Sequence, residues 1–155
     1  MYKIVRREAL SDTTFLWEVH APDVANAAEP GHFVMLRLHD GSERIPLTVA
    51  DMDREKGTLT MVIQALGKST REMMADYKEG DSFDDFVGPL GQPQHVERVG
   101  HVVLVGGGLG VAPVFPQLRA FKALGNRVTG IIGFRSKELV FWEERFREHS
   151  DNLIV

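Results

Sequence analysis

The sequence predicts a β-rich unit over residues 1–98 followed by a parallel α/β unit over residues 99–155. Three observations carry this reading. Short runs of β-branched and aromatic residues, separated by turn signals, fill the first part. After Gln92-Pro93-Gln94, strand and helix patterns alternate, as in a parallel sheet. A glycine cluster, Gly106-Gly107-Gly108-Leu109-Gly110, joins the first strand of that alternation to its helix.

In chain order, Tyr2 to Arg7 is a short mixed strand, and Thr13 to His20 is rich in β-formers. Pro22 and the stretch Asn26 to Gly31 break the pattern. His32 to His39 is the next strand, closed by the turn Asp40-Gly41-Ser42. Arg44 to Val49 and Thr58 to Ala65 are strands, with a polar linker from Asp51 to Gly57 between them. Ser69 to Tyr77 is a short helix with Ser69 or Thr70 as N-cap. Asp81 to Val87 is a strand ended by Gly88-Pro89-Leu90-Gly91. Six short strands with turns between them predict a small antiparallel barrel or sandwich. Beyond it come a strand over 101–105, a helix over 112–124, a strand from Arg127 to Ile132 and a helix from Lys137 to His149. Asn152 to Val155 reads as a strand only begun, so the α/β unit is expected to be truncated.

The formal charge of −4 gives no electrostatic case for nucleic acid as partner. There is no cysteine, which excludes disulfides and cysteine-ligated zinc or iron–sulfur clusters on this chain. No apolar run approaches the ~18 residues of a membrane span, and the N-terminus lacks a signal-peptide core; a cytoplasmic protein without membrane contact is expected. The six histidines lie at 20, 32, 39, 95, 101 and 149, and no pair has the spacing of a common metal site. Glu143-Glu144 reads as a solvated helix face.

Four segments have chemical potential. The strand–glycine–helix unit would bring backbone N–H groups to a pyrophosphate at the positive end of a helix. Its string Gly108-Leu109-Gly110-Val111-Ala112-Pro113 has proline where a dinucleotide fingerprint has a third glycine, and proline suits a first helical turn. A tight turn with no ligand would use the same residues. Arg44-Ile45-Pro46-Leu47-Thr48 groups a guanidinium, a rigid ring and a hydroxyl on one strand, either a phosphate-binding edge or an ordinary exposed one. Gly67-Lys68-Ser69-Thr70 resembles a P-loop tail, but Val62 stands where a P-loop needs glycine, leaving a phosphate cradle or a plain helix cap. Gly133-Phe134-Arg135-Ser136 follows the second parallel strand with a cation and a hydroxyl. If it lies beside an adenosine ribose, it suits a 2′-phosphate and predicts that NADP(H) is accepted at least as well as NAD(H).

Taken in order, Pro30-Gly31-His32-Phe33-Val34, Arg44 to Thr48, Gly67 to Thr70, Gly88-Pro89-Leu90-Gly91 and Gly106 to Pro113 resemble the ferredoxin–NADP reductase superfamily. The closer likeness is to the flavin-binding subunits of sulfide dehydrogenase, NADH-dependent ferredoxin:NADP oxidoreductase and dihydroorotate dehydrogenase. The resemblance implies a six-stranded antiparallel FAD-binding β-barrel over 1–98 and the first part of an NAD(P)-binding domain over 99–155. It implies that Pro46, Leu47 and Thr48 lie along the isoalloxazine, with Thr48 at the reactive flavin nitrogen as the catalytic residue. Arg44 and the Gly67, Lys68, Ser69, Thr70 turn would hold the pyrophosphate, although the arginine stands four residues before the hydroxyl where the superfamily has three. Gly107, Gly108, Gly110 and Pro113 would receive the nicotinamide nucleotide. The implied function is an electron-transfer flavoprotein module, passing electrons from NAD(P)H through FAD to a cluster or larger partner subunit. The alternatives are a free-standing flavin or ferredoxin reductase, and a non-catalytic subunit that keeps the fold.

Overall fold

The computed structural model describes residues 2–155. The β-rich part contains β1 (Tyr2–Ala9), β2 (Thr14–His20), α1 (Pro22–Ala27), β3 (Phe33–Arg37), β4 (Arg44–Thr48), β5 (Asp51–Asp53), β6 (Thr58–Gln64), α2 (Lys68–Asp76), β7 (Ser82–Phe83) and β8 (Asp85–Leu90). Its strands form two open antiparallel sheets, one of order β5-β6-β2-β1-β7 and one of order β4-β3-β8. Alternation along the strands sends Phe15, Trp17, Val34, Leu36, Leu59 and Met61 into one core shared by both sheets.

This corrects the expectation of a closed six-stranded barrel. Asp51–Asp53, read as part of a polar linker, pairs with β6 as an edge strand. The stretch read as one strand over 81–87 is two, because the chain changes sheets at Asp84. Phe83 pairs with Tyr2 in the larger sheet and Asp85 pairs with Arg37 in the smaller. At the corner the Asp84 N–H donates to the carbonyls of Arg37 at 3.1 Å and Leu38 at 3.2 Å. The register shifts at Gly88 and Pro89 and pairing resumes at Leu90 against Phe33, an irregularity in which the edge strand β8 accommodates the proline. The break expected at Pro22 holds a helix instead: Pro22 occupies its first turn and Val24 and Ala25 are buried.

The second part alternates β9 (His101–Gly107), a 3-10 turn (Gly108–Gly110), α3 (Val111–Ala123), β10 (Arg127–Gly133), a second 3-10 turn (Lys137–Leu139), α4 (Glu143–Glu148) and β11 (Asn152–Ile154). The sheet is parallel with order β11-β10-β9. The single helix expected over 137–149 is broken at Trp142, which adopts φ 61. Its ring packs at 5.4 Å from Phe115 and 5.7 Å from Phe141, so aromatic packing overrides helix propensity.

A second core joins the two parts. Leu16, Ala50 and Val62 from the β-rich sheets are buried with Val111, Ala112 and Phe115 of α3. The connecting segment is tied by buried Asn126. Its Oδ1 accepts the N–H groups of Val99 at 2.8 Å and Gly100 at 3.0 Å, and its Nδ2 donates to the carbonyls of Glu97 and Phe121.

Candidate functional site

The joint between the two parts opens into a cleft of about 430 Å³. One wall is β4 with the end of β6. The second is the start of α2, and the third is the glycine turn with the first residues of α3. Pro46, Leu47, Thr48, Gly67, Ser69, Thr70, Gly110 and Pro113 all line it. Residues separated by more than sixty positions, proposed from three separate motifs, thus share one cavity.

Local sequence explains each wall. Along β4, Arg44, Pro46 and Thr48 are exposed while Ile45 and Leu47 are half-buried, the alternation of an edge strand packed on one face. At α2 the N-cap is Gly67, not Ser69 or Thr70. The Thr70 hydroxyl instead reaches back to accept the N–H groups of Leu66 and Gly67, each at 3.0 Å. This closes the turn and commits the Thr70 oxygen to the cap. The buried Ser69 hydroxyl donates to Glu43 Oε1 at 2.5 Å.

At the glycine turn, a Cβ on Gly106 would lie 3.0 Å from Val111 Cα, so this glycine lets strand and helix close on each other. Gly108 has φ +53, a conformation side chains disfavour. A Cβ on Gly67, Gly107 or Gly110 would meet nothing within 4 Å. Protein packing does not demand those three glycines, and the space beside each is open to the close approach of a ligand.

Five of the expected site residues lie outside the cleft lining: Arg44, Lys68, Gly107, Gly108 and Arg135. Arg44 sits next to the lining residue Ile45, and its guanidinium pairs with Asp85 at 2.6 Å. Lys68 is exposed. Gly107, Gly108 and Arg135 line a separate shallow hollow at the C-terminal ends of β9 and β10, with Val105, Gly133 and Phe134. Ser136, next to Arg135, hydrogen-bonds the Glu138 carboxyl and holds it below the usual carboxylate range. The sequence reading missed this carboxylate because it lies beyond the strand end.

Among the other lining residues, the reading missed Glu43, Gln64, Leu66 and Leu109. Leu66 is 66% exposed and Leu109 37% exposed. A leucine standing directly before Gly67 in a polar turn was the available signal. Among the described residues, no group of three or more His, Asp or Glu side chains is placed to hold a metal.

The residues present fit a flat, largely apolar ring system. Ile45, Leu47, Leu66, Leu109 and the rings of Pro46 and Pro113 supply apolar surface, with Thr48 as a polar point. The backbone N–H groups of the α2 N-terminus offer donors to an anion, while the Ser69 hydroxyl is spent on Glu43 and no lysine or arginine stands in the lining.

No protein-family model matches the chain. It is 44% identical over 153 residues to the dihydroorotate dehydrogenase B (NAD(+)) electron transfer subunit homolog of Thermotoga maritima, covering 99% of this chain and 54% of that protein. It is 32% identical over 158 residues to the dihydroorotate dehydrogenase B (NAD(+)) electron transfer subunit of Bacillus cereus, covering 98% of this chain and 60% of that protein. Among solved structures it superposes on NADH-dependent reduced ferredoxin-NADP oxidoreductase, studied for flavin-based electron bifurcation. The TM-score is 0.93 and the identity 44%, over 99% of this chain and 55% of that one. Phthalate dioxygenase reductase, at 17% identity and TM-score 0.75, shares the fold. The chain therefore spans little more than half the length of these relatives.

Proposed function

Homologous to the electron-transfer subunits of dihydroorotate dehydrogenase B and built on a ferredoxin reductase-like fold, this chain is, we propose, the FAD-binding module of a flavin-dependent NAD(P)H oxidoreductase. Residues 1–98 form the flavin unit and residues 99–155 the first part of the nucleotide unit. The observation that carries the reading is the shared cleft, where Pro46, Leu47 and Thr48 face Gly110 and Pro113 across the joint.

When bound, FAD would supply a hydride acceptor for the nicotinamide and a source of single electrons for an onward acceptor. The chain's residues bind and orient. Pro46 and Leu47 offer a flat apolar surface, and Thr48 presents a hydroxyl to the ring. The α2 N-terminus with Gly67, Lys68 and Ser69, together with Arg44, takes the pyrophosphate end, and the Thr70 hydroxyl keeps that turn closed. Gly107, Gly108, Gly110 and Pro113 let the nicotinamide nucleotide approach the backbone, and Arg135 faces its adenosine end. No cysteine stands among these 155 residues, so a cluster that takes the electrons would be held elsewhere in the assembly, which passes them on to a larger partner subunit. The name "electron transfer subunit" borne by the relatives supports that partner. The reading includes a cytoplasmic setting, where nicotinamide nucleotides are held.

The test is titration of the full-length protein with FAD, followed by anaerobic addition of NADH or NADPH. Stoichiometric binding with a flavin absorption band that bleaches on reduction is expected. Protein that takes up no FAD refutes the reading. Reduction without any co-purifying subunit favours a free-standing reductase instead.

A further inference from the structure

Asp51 opens β5, three residues beyond Thr48, and its side chain is 12% exposed at the joint between the two parts. Both carboxylate oxygens are engaged. Oδ1 takes Arg119 Nη2 of α3 at 2.8 Å and the Met52 N–H at 2.9 Å. Oδ2 takes Arg145 Nη2 of α4 at 2.6 Å. The Arg145 guanidinium is itself fixed over two rings, 4.3 Å from Trp142 and 4.6 Å from Phe115. A single carboxylate of the β-rich part thus holds two helices of the α/β part.

Apart from these contacts and a long one from Arg119 Nη2 to the Met52 carbonyl at 3.5 Å, the joint is packed by apolar side chains: Leu16, Ala50 and Val62 against Val111, Ala112 and Phe115. Apolar contact is non-directional, so by itself it tolerates sliding of one part on the other. Paired, hydrogen-bonded charges are directional and contribute geometry more than stability when buried. The two ends of this joint are mechanically linked. The β4–β5 segment carries Pro46 to Thr48 at the cleft and Asp51 at the clip. The α3 helix carries Pro113 at the cleft and Arg119 at the clip.

We propose that Asp51, clamped by Arg119 and Arg145, is a positioning residue that sets the spacing between the two walls of the cleft, and so between flavin and nicotinamide. The link to hydride exchange rests on the function proposed above; the clamp itself does not.

Residues 1–155 contain no cysteine, so spin labels introduced there meet no competing thiol within this stretch, and the signal of the equally treated unsubstituted protein is subtracted as background. Arg71→Cys on α2 and Glu148→Cys on α4, both exposed, put one label on each part. Dipolar electron resonance on the full-length protein, before and after FAD loading, reads the distance between them. The parent should give one narrow distribution in both states. Asp51→Ala and Arg145→Gln should at least double its width, and Arg145→Lys, which keeps a cation near Asp51, should retain it. Arg145→Gln leaves Asp51 with Arg119 and keeps the test usable if Asp51→Ala does not fold. In the loaded protein, the rate of flavin reduction per bound flavin should fall at least tenfold in Asp51→Ala or Arg145→Gln, while the FAD dissociation constant moves less than threefold. Unchanged distance distributions in folded variants, or an unchanged rate per bound flavin, overturn the proposal. Failure of the parent to bind FAD refutes the proposed function, and the cofactor-free distances then decide the clamp alone.

Discussion

Arg44 carries the sharpest tension between motif and surroundings. The motif aims a guanidinium at phosphate, while the fold places Asp85 2.6 Å away and Arg37 at 3.5 Å from the same carboxylate. None of this is legible locally, since Asp85 lies 41 positions on and meets Arg44 only through the β4-β3-β8 sheet. If Arg44 serves an anionic ligand, Asp85 competes for it. Arg44→Ala should weaken FAD binding about tenfold, the scale of one charge-assisted contact at a half-exposed site. Asp85→Asn should strengthen it severalfold. Fluorescence titration checks both, and a weaker Asp85→Asn complex would mean that the carboxylate orients the arginine. A second opposition would exist if the hollow beside Arg135 receives the adenosine end of a nucleotide: Arg135, which lines it, suits a 2′-phosphate, and the Glu138 carboxylate three residues on, held by Ser136, opposes one. Arg135→Ala should lower flavin reduction by NADPH and spare NADH, and Glu138→Gln should raise the NADPH rate. An NADPH reaction indifferent to both substitutions removes these residues from nucleotide choice.

Elements were legible where periodicity is strong and illegible where tertiary contacts decide. The spacing of Val114, Leu118, Phe121 and Leu124 makes α3 readable within a residue or so of its ends, although the buried face is carried by Val111, Phe115, Leu118 and Phe121 and Leu124 is 47% exposed. The β-strands were found because β-branched and aromatic residues alternate, but which strands join which sheet depends on the corner at Asp84. Helix α4 was overextended because Trp142 obeys the rings around it. The cleft was readable as three glycine and proline motifs, whereas its leucine lip and Glu43 were not. The α3–β10–α4 layer also has an electrostatic brace. Asp151, just before β11, accepts from Lys122 Nζ of α3 at 2.6 Å and from the Val128 N–H of β10 at 2.7 Å. The Lys122 contact first, then the Val128 hydrogen bond, holds its carboxyl below the usual value of 3.8. A lowered native pKa means the stabilisation is full above the unfolded value and is lost as pH falls through the native one. Thermal midpoints of wild type and Asp151→Asn should therefore differ near neutral pH and converge in acid below the ordinary aspartate range. A gap that persists in acid would sink this assignment.

At the scale of the whole molecule, the parallel sheet is finished on one side only. Toward α3 and α4 it buries Val128 and Ile132, and Leu118 and Phe146 close over them. On the opposite side Val105 is 67% exposed, Val103 52% and Ile154 56%. Successive strand residues alternate faces, so these side chains stand together on one surface. Parallel sheets are ordinarily covered on both faces, because open apolar strands invite association. The relatives are nearly twice as long as this chain, and no residue from 2 to 155 covers that surface. The 155-residue chain should accordingly bind an apolar dye such as anilinonaphthalene sulfonate and sediment as larger species with rising concentration. Val103→Thr with Val105→Thr keeps β-branching and shape while adding hydroxyls to positions already in water. The pair should reduce dye fluorescence and self-association together, with the thermal midpoint nearly unchanged, since neither valine contributes to the buried core. Dye binding that survives both substitutions would place the exposed apolar surface elsewhere, at the cleft lip formed by Leu66 and Leu109, and added FAD would then be expected to displace the dye.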